Sequence, residues 1–193
     1  MTRDRQTWPP VQVEWPERHP DAPEPGTTVG QHYALCFGCG DEQRHGLHLK
    51  ATIADGHTIF AQFTVTEAHQ GAPGLAHGGL LACAFDEALG ATVGHLLRQP
   101  AVTGRLETDF LKPVPVGSTL YITATLRGVA GRQVYALADG RLDGEEGPVA
   151  VRARAVFVIV PFSHFTEHGR AEDIAAVAKE PSETRRRNYD INP

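Results

Sequence analysis

The feature that most constrains the fold is an apolar segment at residues 80–97. A helix drawn through it carries apolar side chains at nearly every turn, at Leu80, Leu81, Ala84, Phe85, Ala88, Leu89, Ala91, Val93 and Leu96. Because such a helix is apolar around most of its circumference, other elements must cover it on most sides. The rest of the chain is therefore expected to supply a structure that surrounds this helix.

Strand-like segments lie on both sides of the helix. Apolar and polar residues alternate in them, at residues 47–53, 58–65, 101–111, 119–129, 133–142 and 149–160. The pair Asp55-Gly56 predicts a hairpin between the first two, because Asp-Gly supplies the positive φ of a tight turn. Residues 69–79 are rich in glycine and are predicted to form a loop.

The order of these segments favours one packing, in which an antiparallel sheet of about six strands curls around the central helix and buries it. This is the α+β architecture called the hotdog fold. We place this domain at residues 31–165. Residues 1–30, which are rich in proline, are predicted to be an N-terminal extension. Residues 166–193 are predicted to hold a short helix, at about 171–179, and a polar C-terminal tail.

Composition narrows the function classes. The formal net charge of -5 argues against an overall nucleic-acid-binding surface, which would be basic. The N-terminal segment has no apolar core of a signal peptide, and the apolar run at 155–162 is too short to span a membrane. Three cysteines without a secretory signal fit a reducing compartment. We therefore expect a cytoplasmic protein that binds neither nucleic acid nor membrane.

Three stretches carry a family resemblance. The central one, HQGAPGLAHGGLLACAFDEALG at residues 69–90, resembles the loop and helix of hotdog-fold acyl-CoA thioesterases, most closely the PaaI-like group. The CFGCG motif at 36–40 and AVTGRLETDFLKPVPVGS at 101–118 resemble neighbouring parts of the same proteins. The resemblance implies hydrolysis of acyl-CoA to free acid and CoA without a cofactor. It also implies a homodimer or a dimer of dimers.

The residues of the central motif suit this chemistry. The Gly78 backbone N–H would stand at the helix N-terminus, where unpaired amides and the helix dipole can stabilise an oxyanion. Asp86 is costly to bury in an apolar helix without a purpose, and it could act as a general base or as a nucleophile. By resemblance, Thr103 orients Asp86 or the attacking water. Further candidate substrate-binding residues are His77, Gly79 and Gln70, the last beside the place where many relatives carry asparagine.

The spacing of Gly78 and Asp86 has a consequence for assembly. The two residues lie about 12 Å apart along one helix at 1.5 Å per residue, so one thioester cannot contact both. Two antiparallel copies of the helix could bring Gly78 of one chain beside Asp86 of the other, which predicts a homodimer with composite sites.

Glu87 is the rival carboxylate. Successive helix positions differ by about 100°, so only one of the two should face the site.

Cys36 and Cys39 lie near His32, His45 and His48, and a zinc site can be drawn from them. Their spacing is not that of a common zinc finger. The favoured interpretation is a tight turn that packs two thiols near the helix, with neither a metal nor a redox pair.

Two alternatives to the thioesterase remain open. One is a non-catalytic acyl-CoA-binding hotdog module, which the presence of Asp86 and Thr103 disfavours without excluding. The other is a hotdog dehydratase, whose chemistry usually needs a paired aspartate and histidine in a different setting.

Overall fold

The computed structural model describes residues 8–178, with side chains described to residue 175. The polar tail predicted beyond that range lies outside the described residues. The domain limits predicted above therefore stay a prediction.

The main sheet has seven antiparallel strands in the order β1-β2-β3-β7-β8-β9-β6. A separate small hairpin pairs β4 with β5. The strands are β1 (Thr28–Val29), β2 (Lys50–Ile53), β3 (Thr58–Thr64), β4 (Gln70–Ala72), β5 (Leu75–Ala76), β6 (Ala101–Phe110), β7 (Thr119–Ala130), β8 (Gln133–Arg141) and β9 (Val149–Ile159). Six of the seven strands in the main sheet match the six predicted segments. The seventh, β1, lies within the proline-rich extension and pairs with β2.

The central helix α1 (Gly78–Thr92) continues into a π-helical turn at Val93–Leu97 and packs against β3 and β6 to β9. This arrangement confirms the hotdog fold. By length and mean hydropathy alone, the stretch Gly78–Leu97 could cross a membrane. The sheet accounts for that apolar composition, because it covers Ala84, Phe85, Ala88 and Leu89 completely.

Alternation along the strands decides which side chains meet the helix. In β9, Val151, Ala153 and Ala155 are buried, whereas Arg152 lies on the opposite face. There Arg152 donates a hydrogen bond from Nε to Asp139 Oδ1 at 2.6 Å. Because successive strand residues point to opposite faces, one face builds the core and the other carries the charges.

The prediction that residues 69–79 form a loop was wrong in part. A 3₁₀ turn at Glu67–His69 leads into the β4–β5 hairpin, which turns at Gly74 with a φ of 73°. Strands of two or three residues are too short to show an alternating pattern, so the glycines dominate the sequence signal. A Cβ on Gly71 would lie 2.7 Å from His77 Cα, so the hairpin closes tightly on the residue that precedes α1.

Two helices follow the sheet. The helix predicted at about 171–179 is present as α3 (Ala171–Ala178), whereas α2 (Ser163–His168) was not predicted. Residues 162–170 are all half-buried or exposed. The segment therefore lacks the apolar periodicity that reveals a buried helix.

Close packing between sheet and helix gives a stability prediction. A Cβ on Gly140 of β8 would lie 2.5 Å from Cζ of the fully buried Phe85. We expect Gly140→Ala to lower the free energy of unfolding by about 1–3 kcal/mol through overpacking, measured by urea denaturation. Gly90→Ala is the matched control, because its Cβ would meet Phe157 Cε1 at an ordinary 3.5 Å. Equal stability of Gly140→Ala and wild type would contradict this packing.

Candidate active site

Asp86 and Thr103 meet between the middle of α1 and the start of β6. Thr103 Oγ1 donates a hydrogen bond to Asp86 Oδ1 at 2.8 Å. The register of β6 against β9 shifts between Thr103 and Arg105, where Gly104 is the extra residue of a bulge. Bulges re-aim side chains near functional sites. The structure therefore brings together the carboxylate and the hydroxyl that the sequence singled out.

The environment of Asp86 alters its acidity. Partial burial of the Asp86 carboxyl raises its pKa, and the hydrogen bond from Thr103 lowers it. The nearby negative charges of Glu87 and Cys36 raise the pKa further. The net direction is upward from the ordinary aspartate pKa. A carboxylate with a raised pKa is a stronger base than one in water, which suits proton abstraction from a water molecule.

The N-terminus of α1 holds the second group of predicted site residues. His77 is the N-cap, and its Nδ1 accepts a hydrogen bond from the Gly79 N–H at 2.9 Å. Within residues 8–178, the Gly78 N–H donates no hydrogen bond. The cap thus uses the Gly79 amide and leaves the Gly78 amide available to an external acceptor.

The ring of Phe110, at the end of β6, lies beside Gly78. A Cβ on Gly78 would lie 3.3 Å from Phe110 Cζ, closer than most real contacts of that kind. Phe110 and Leu111 are themselves 52% and 53% exposed. Any side chain at position 78 would therefore crowd the approach to the helix N-terminus, which explains why a glycine suits it.

A cavity of about 640 Å³ adjoins the carboxylate. Its wall includes Asp86, Thr103, Phe157 and Phe165 but none of His77, Gly78, Gly79 and Gln70. Both Gly78 and Asp86 lie on α1, so their separation along the helix is about 12 Å at 1.5 Å per residue. Within one chain the two groups of predicted site residues are therefore apart; we call them two half-sites, and their joining across a dimer stays a prediction.

Gln70 does not join either half-site. Its Oε1 accepts a hydrogen bond from the Gly74 N–H within the β4–β5 hairpin. The side chain stabilises the turn that precedes α1, and its predicted role in substrate binding has no support from this placement.

Glu87 contributes to a cluster that the sequence reasoning did not find. It faces His32, Cys36 and Cys39, and potential metal-ligating atoms of all four side chains lie within 4.8 Å of one another. The predicted tight turn is present, with the Gly40 N–H donating to the Cys36 carbonyl at 2.9 Å. Glu87 belongs to this cluster and lines the same cavity as Asp86, so the expectation that only one of the two faces the catalytic site stays a prediction. A glutamate next to the predicted base, in an apolar helix, was the available signal.

Contacts inside this cluster shift its acidities in opposite directions. The hydrogen bond from Cys39 lowers the pKa of Cys36 to about 5, with burial opposing and His32 assisting. Burial lowers the pKa of His32, but hydrogen bonds with Cys36 and Glu87 outweigh it and raise the value to about 10. The cluster therefore stabilises negative charge on Cys36 and Glu87, whereas the hydrogen bond with Cys36 and burial raise the pKa of Cys39.

Comparison with known proteins supports the superfamily. A model described as the thioesterase superfamily matches residues 73–148, a range that contains His77, Gly78, Asp86 and Thr103. Over this range the chain is similar to the thioesterase superfamily. Among curated relatives, the acyl-coenzyme A thioesterase THEM4 of Bos taurus is 38% identical over 66 residues, which is 34% of this chain and 26% of the relative. The chain spans 26% to 39% of the length of the curated relatives it matches.

Solved structures of thioesterase-superfamily proteins share the fold. One thioesterase-superfamily protein is 28% identical with a TM-score of 0.51. The match covers 57% of this chain and 55% of the chain of that protein. The PaaI protein of E. coli, from the phenylacetic acid degradation operon, is 22% identical with a TM-score of 0.53, covering 60% and 81% respectively. The likeness to PaaI shows the common fold, in agreement with the resemblance seen in the sequence.

Proposed function

We propose that this protein hydrolyses acyl-CoA thioesters to a free acid and CoA. The observation that carries the proposal is the hydrogen-bonded Asp86–Thr103 pair beside a cavity, within the range that matches the thioesterase superfamily. Two curated relatives are named acyl-coenzyme A thioesterases, which supports CoA as the carrier. The cavity volume of about 640 Å³ lies in the roughly 300–1,000 Å³ range of small-molecule sites.

The reaction replaces a C–S bond with a C–O bond. Asp86 takes a proton from water, whose oxygen attacks the thioester carbonyl, or its own carboxylate attacks first and water then opens the anhydride. In either route the carbonyl oxygen becomes an oxyanion, the sulfur leaves as the CoA thiolate, and the proton ends on that sulfur or in solvent. Thr103 holds Asp86 by donating to Oδ1, so the carboxylate keeps one orientation.

The oxyanion donor comes from a second copy of the chain in this proposal. The Gly78 amide is available but lies on the same helix as Asp86, at the distance given above. Strand β6 lies at the end of the main sheet, and the exposed Phe110 and Leu111 extend its apolar surface beside Gly78. A homodimer that pairs α1 with its copy would cover these residues and complete two sites, alone or within a dimer of dimers.

A substrate panel tests the activity. Acyl-CoA esters with short, long, branched and aromatic acyl groups are incubated with the full chain, and release of the free thiol is followed. We expect turnover of at least one class, with equal amounts of acid and CoA. Binding of CoA esters without hydrolysis would instead favour the non-catalytic module. Hydration of an enoyl-CoA without thiol release would favour the dehydratase.

Thr103 gives a prediction for positioning. Thr103→Val removes the hydroxyl but keeps the shape, and a hydrogen bond to a charged group contributes about 1.5–3 kcal/mol. We therefore expect kcat to fall by about 10- to 100-fold, with KM little changed. Thr103→Ser is the control and should retain most of the rate, because serine keeps the donor. A full rate in Thr103→Val would show that this hydrogen bond has no part in turnover.

A further inference from the structure

A four-residue cluster outside the proposed catalytic pair joins the loop before β2 to the centre of α1. Cys39 Sγ lies 3.2 Å from His32 Nδ1, and Cys36 Sγ lies 3.4 Å from Glu87 Oε2. His32 Nδ1 lies 3.4 Å from Glu87 Oε1, so these three contacts connect all four side chains. The four side chains thus converge on one point from two elements that are distant in sequence.

These separations match the edges of a tetrahedral coordination site. Zinc binds sulfur at about 2.3 Å and nitrogen or oxygen at about 2.0–2.2 Å, which places neighbouring ligand atoms roughly 3.3–3.8 Å apart. Three contacts, at 3.2–3.4 Å, lie near these lengths, and one potential ligand atom from each side chain lies within 4.8 Å of the others. Two sulfur ligands select a thiophilic ion over magnesium or calcium, which prefer oxygen ligands.

We propose that His32, Cys36, Cys39 and Glu87 bind a thiophilic divalent cation, with zinc as the best match to the donor set. Residues close to the cysteines in sequence do not complete such a site, because the nearby His45 and His48 do not belong to the cluster. The fourth ligand, Glu87, comes from the helix. That ligand changes the site from an incomplete finger into a complete Cys₂HisGlu set.

The loop backbone is shaped to reach this point. A Cβ at Gly38 would overlap the Glu87 carboxylate, so only glycine lets the backbone pass beside it. The loop is tied to the segment that leads into β2 by the Leu47 N–H to the Phe37 carbonyl at 2.8 Å and by the Leu49 N–H to the Gly38 carbonyl at 2.9 Å. Glu87 itself is only 16% exposed, and a buried carboxylate needs a paired charge or a metal.

The chemistry of the site indicates a structural role. Four protein ligands fill a tetrahedral zinc site, whereas catalytic zinc keeps one position for water or substrate. The ion would fasten the loop to α1 at the residue next to Asp86. His32, Cys39 and Glu87 also line the cavity that contains Asp86, so the ion would hold part of the cavity wall in place.

Metal analysis of the full chain tests this proposal independently of activity. The reduced protein, without a histidine tag, is equilibrated with zinc and desalted, and its metal content is measured by mass spectrometry. We expect about one zinc ion per chain in the wild type and at least a tenfold reduction in the double variant Cys36→Ser, Cys39→Ser. Cys83→Ser is the matched control, since Cys83 lies on α1 outside the cluster, and it should keep the zinc.

A cobalt measurement on the wild type keeps the test valid if the double variant does not fold. Cobalt(II) in the site should show the strong visible bands of tetrahedral geometry and a thiolate-to-cobalt charge-transfer band. Less than about 0.1 zinc per chain in the wild type, or a cobalt spectrum without the thiolate band, would overturn the proposal. So would a Cys36–Cys39 disulfide that persists in the reduced, zinc-treated protein, or full zinc retention in a folded double variant.

Discussion

Asp86→Asn is expected to lower kcat/KM for acyl-CoA hydrolysis by about 10²–10⁴-fold, the usual contribution of a positioned general base. Asparagine has nearly the same shape as aspartate, and its amide oxygen can still accept the hydrogen bond from Thr103. The change therefore removes the basic, nucleophilic carboxylate while leaving the contact between α1 and β6 possible. Thiol release from the best substrate of the panel measures the effect.

The control for this variant is Asp55→Asn. Asp55 is exposed in the turn between β2 and β3, so the same change of charge is made far from the cavity. It should leave kcat/KM within about twofold of the wild-type value, as surface changes usually do. A fully active Asp86→Asn enzyme would remove Asp86 from the mechanism. An equal loss in both variants would point to net charge instead of the site.

Mixing two inactive variants is expected to restore activity if the sites are shared between chains. Gly78→Val crowds the oxyanion donor against Phe110, and Asp86→Asn removes the base. After subunit exchange at equal amounts, half of the dimers are heterodimers with one intact site, which predicts about a quarter of the wild-type activity. Each variant measured alone should stay near its background rate.

A second mixing experiment tests the same shared site by a loss of activity instead of a gain. The double variant Gly78→Val, Asp86→Asn is mixed with wild type, so that heterodimers contain no intact composite site. At equal amounts, activity per wild-type chain should fall to about half. If each chain instead held a complete site, the mixture of single variants would stay inactive and dilution would leave wild-type activity unchanged. That pair of outcomes would refute the shared site, provided that subunit exchange is demonstrated.

Elements with a clear period were predictable from the sequence. The helix at α1 repeats apolar residues at every turn, and β9 alternates Val151, Ala153 and Ala155 with arginines, so both were placed within a few residues. Strands β1, β4 and β5 have only two or three residues each, which is too short for a period to show. These three strands form only because each pairs with a neighbouring strand, and the sequence of a short segment does not show which strand lies beside it.

For the candidate site, too, features within one segment could be predicted, whereas contacts between distant segments could not. Asp86, Gly78 and His77 lie on or beside one helix, so their spacing could be interpreted directly, and the family resemblance added Thr103. The partnership of Glu87 with Cys36 joins residues that are 51 positions apart. Only the packing of the loop against α1 creates it. The helix rotation of about 100° per residue showed that Glu87 and Asp86 diverge, but not what Glu87 faces.

The central claim, hydrolysis of an acyl-CoA, is tested most directly by product analysis in ¹⁸O-labelled water. The wild-type chain is incubated with its best panel substrate, and the acid and CoA are quantified by mass spectrometry. We expect equal amounts of both products over many turnovers, with one solvent oxygen incorporated into each acid molecule. Bound acyl-CoA that yields no acid above the enzyme-free rate, or CoA released without labelled acid, would contradict it.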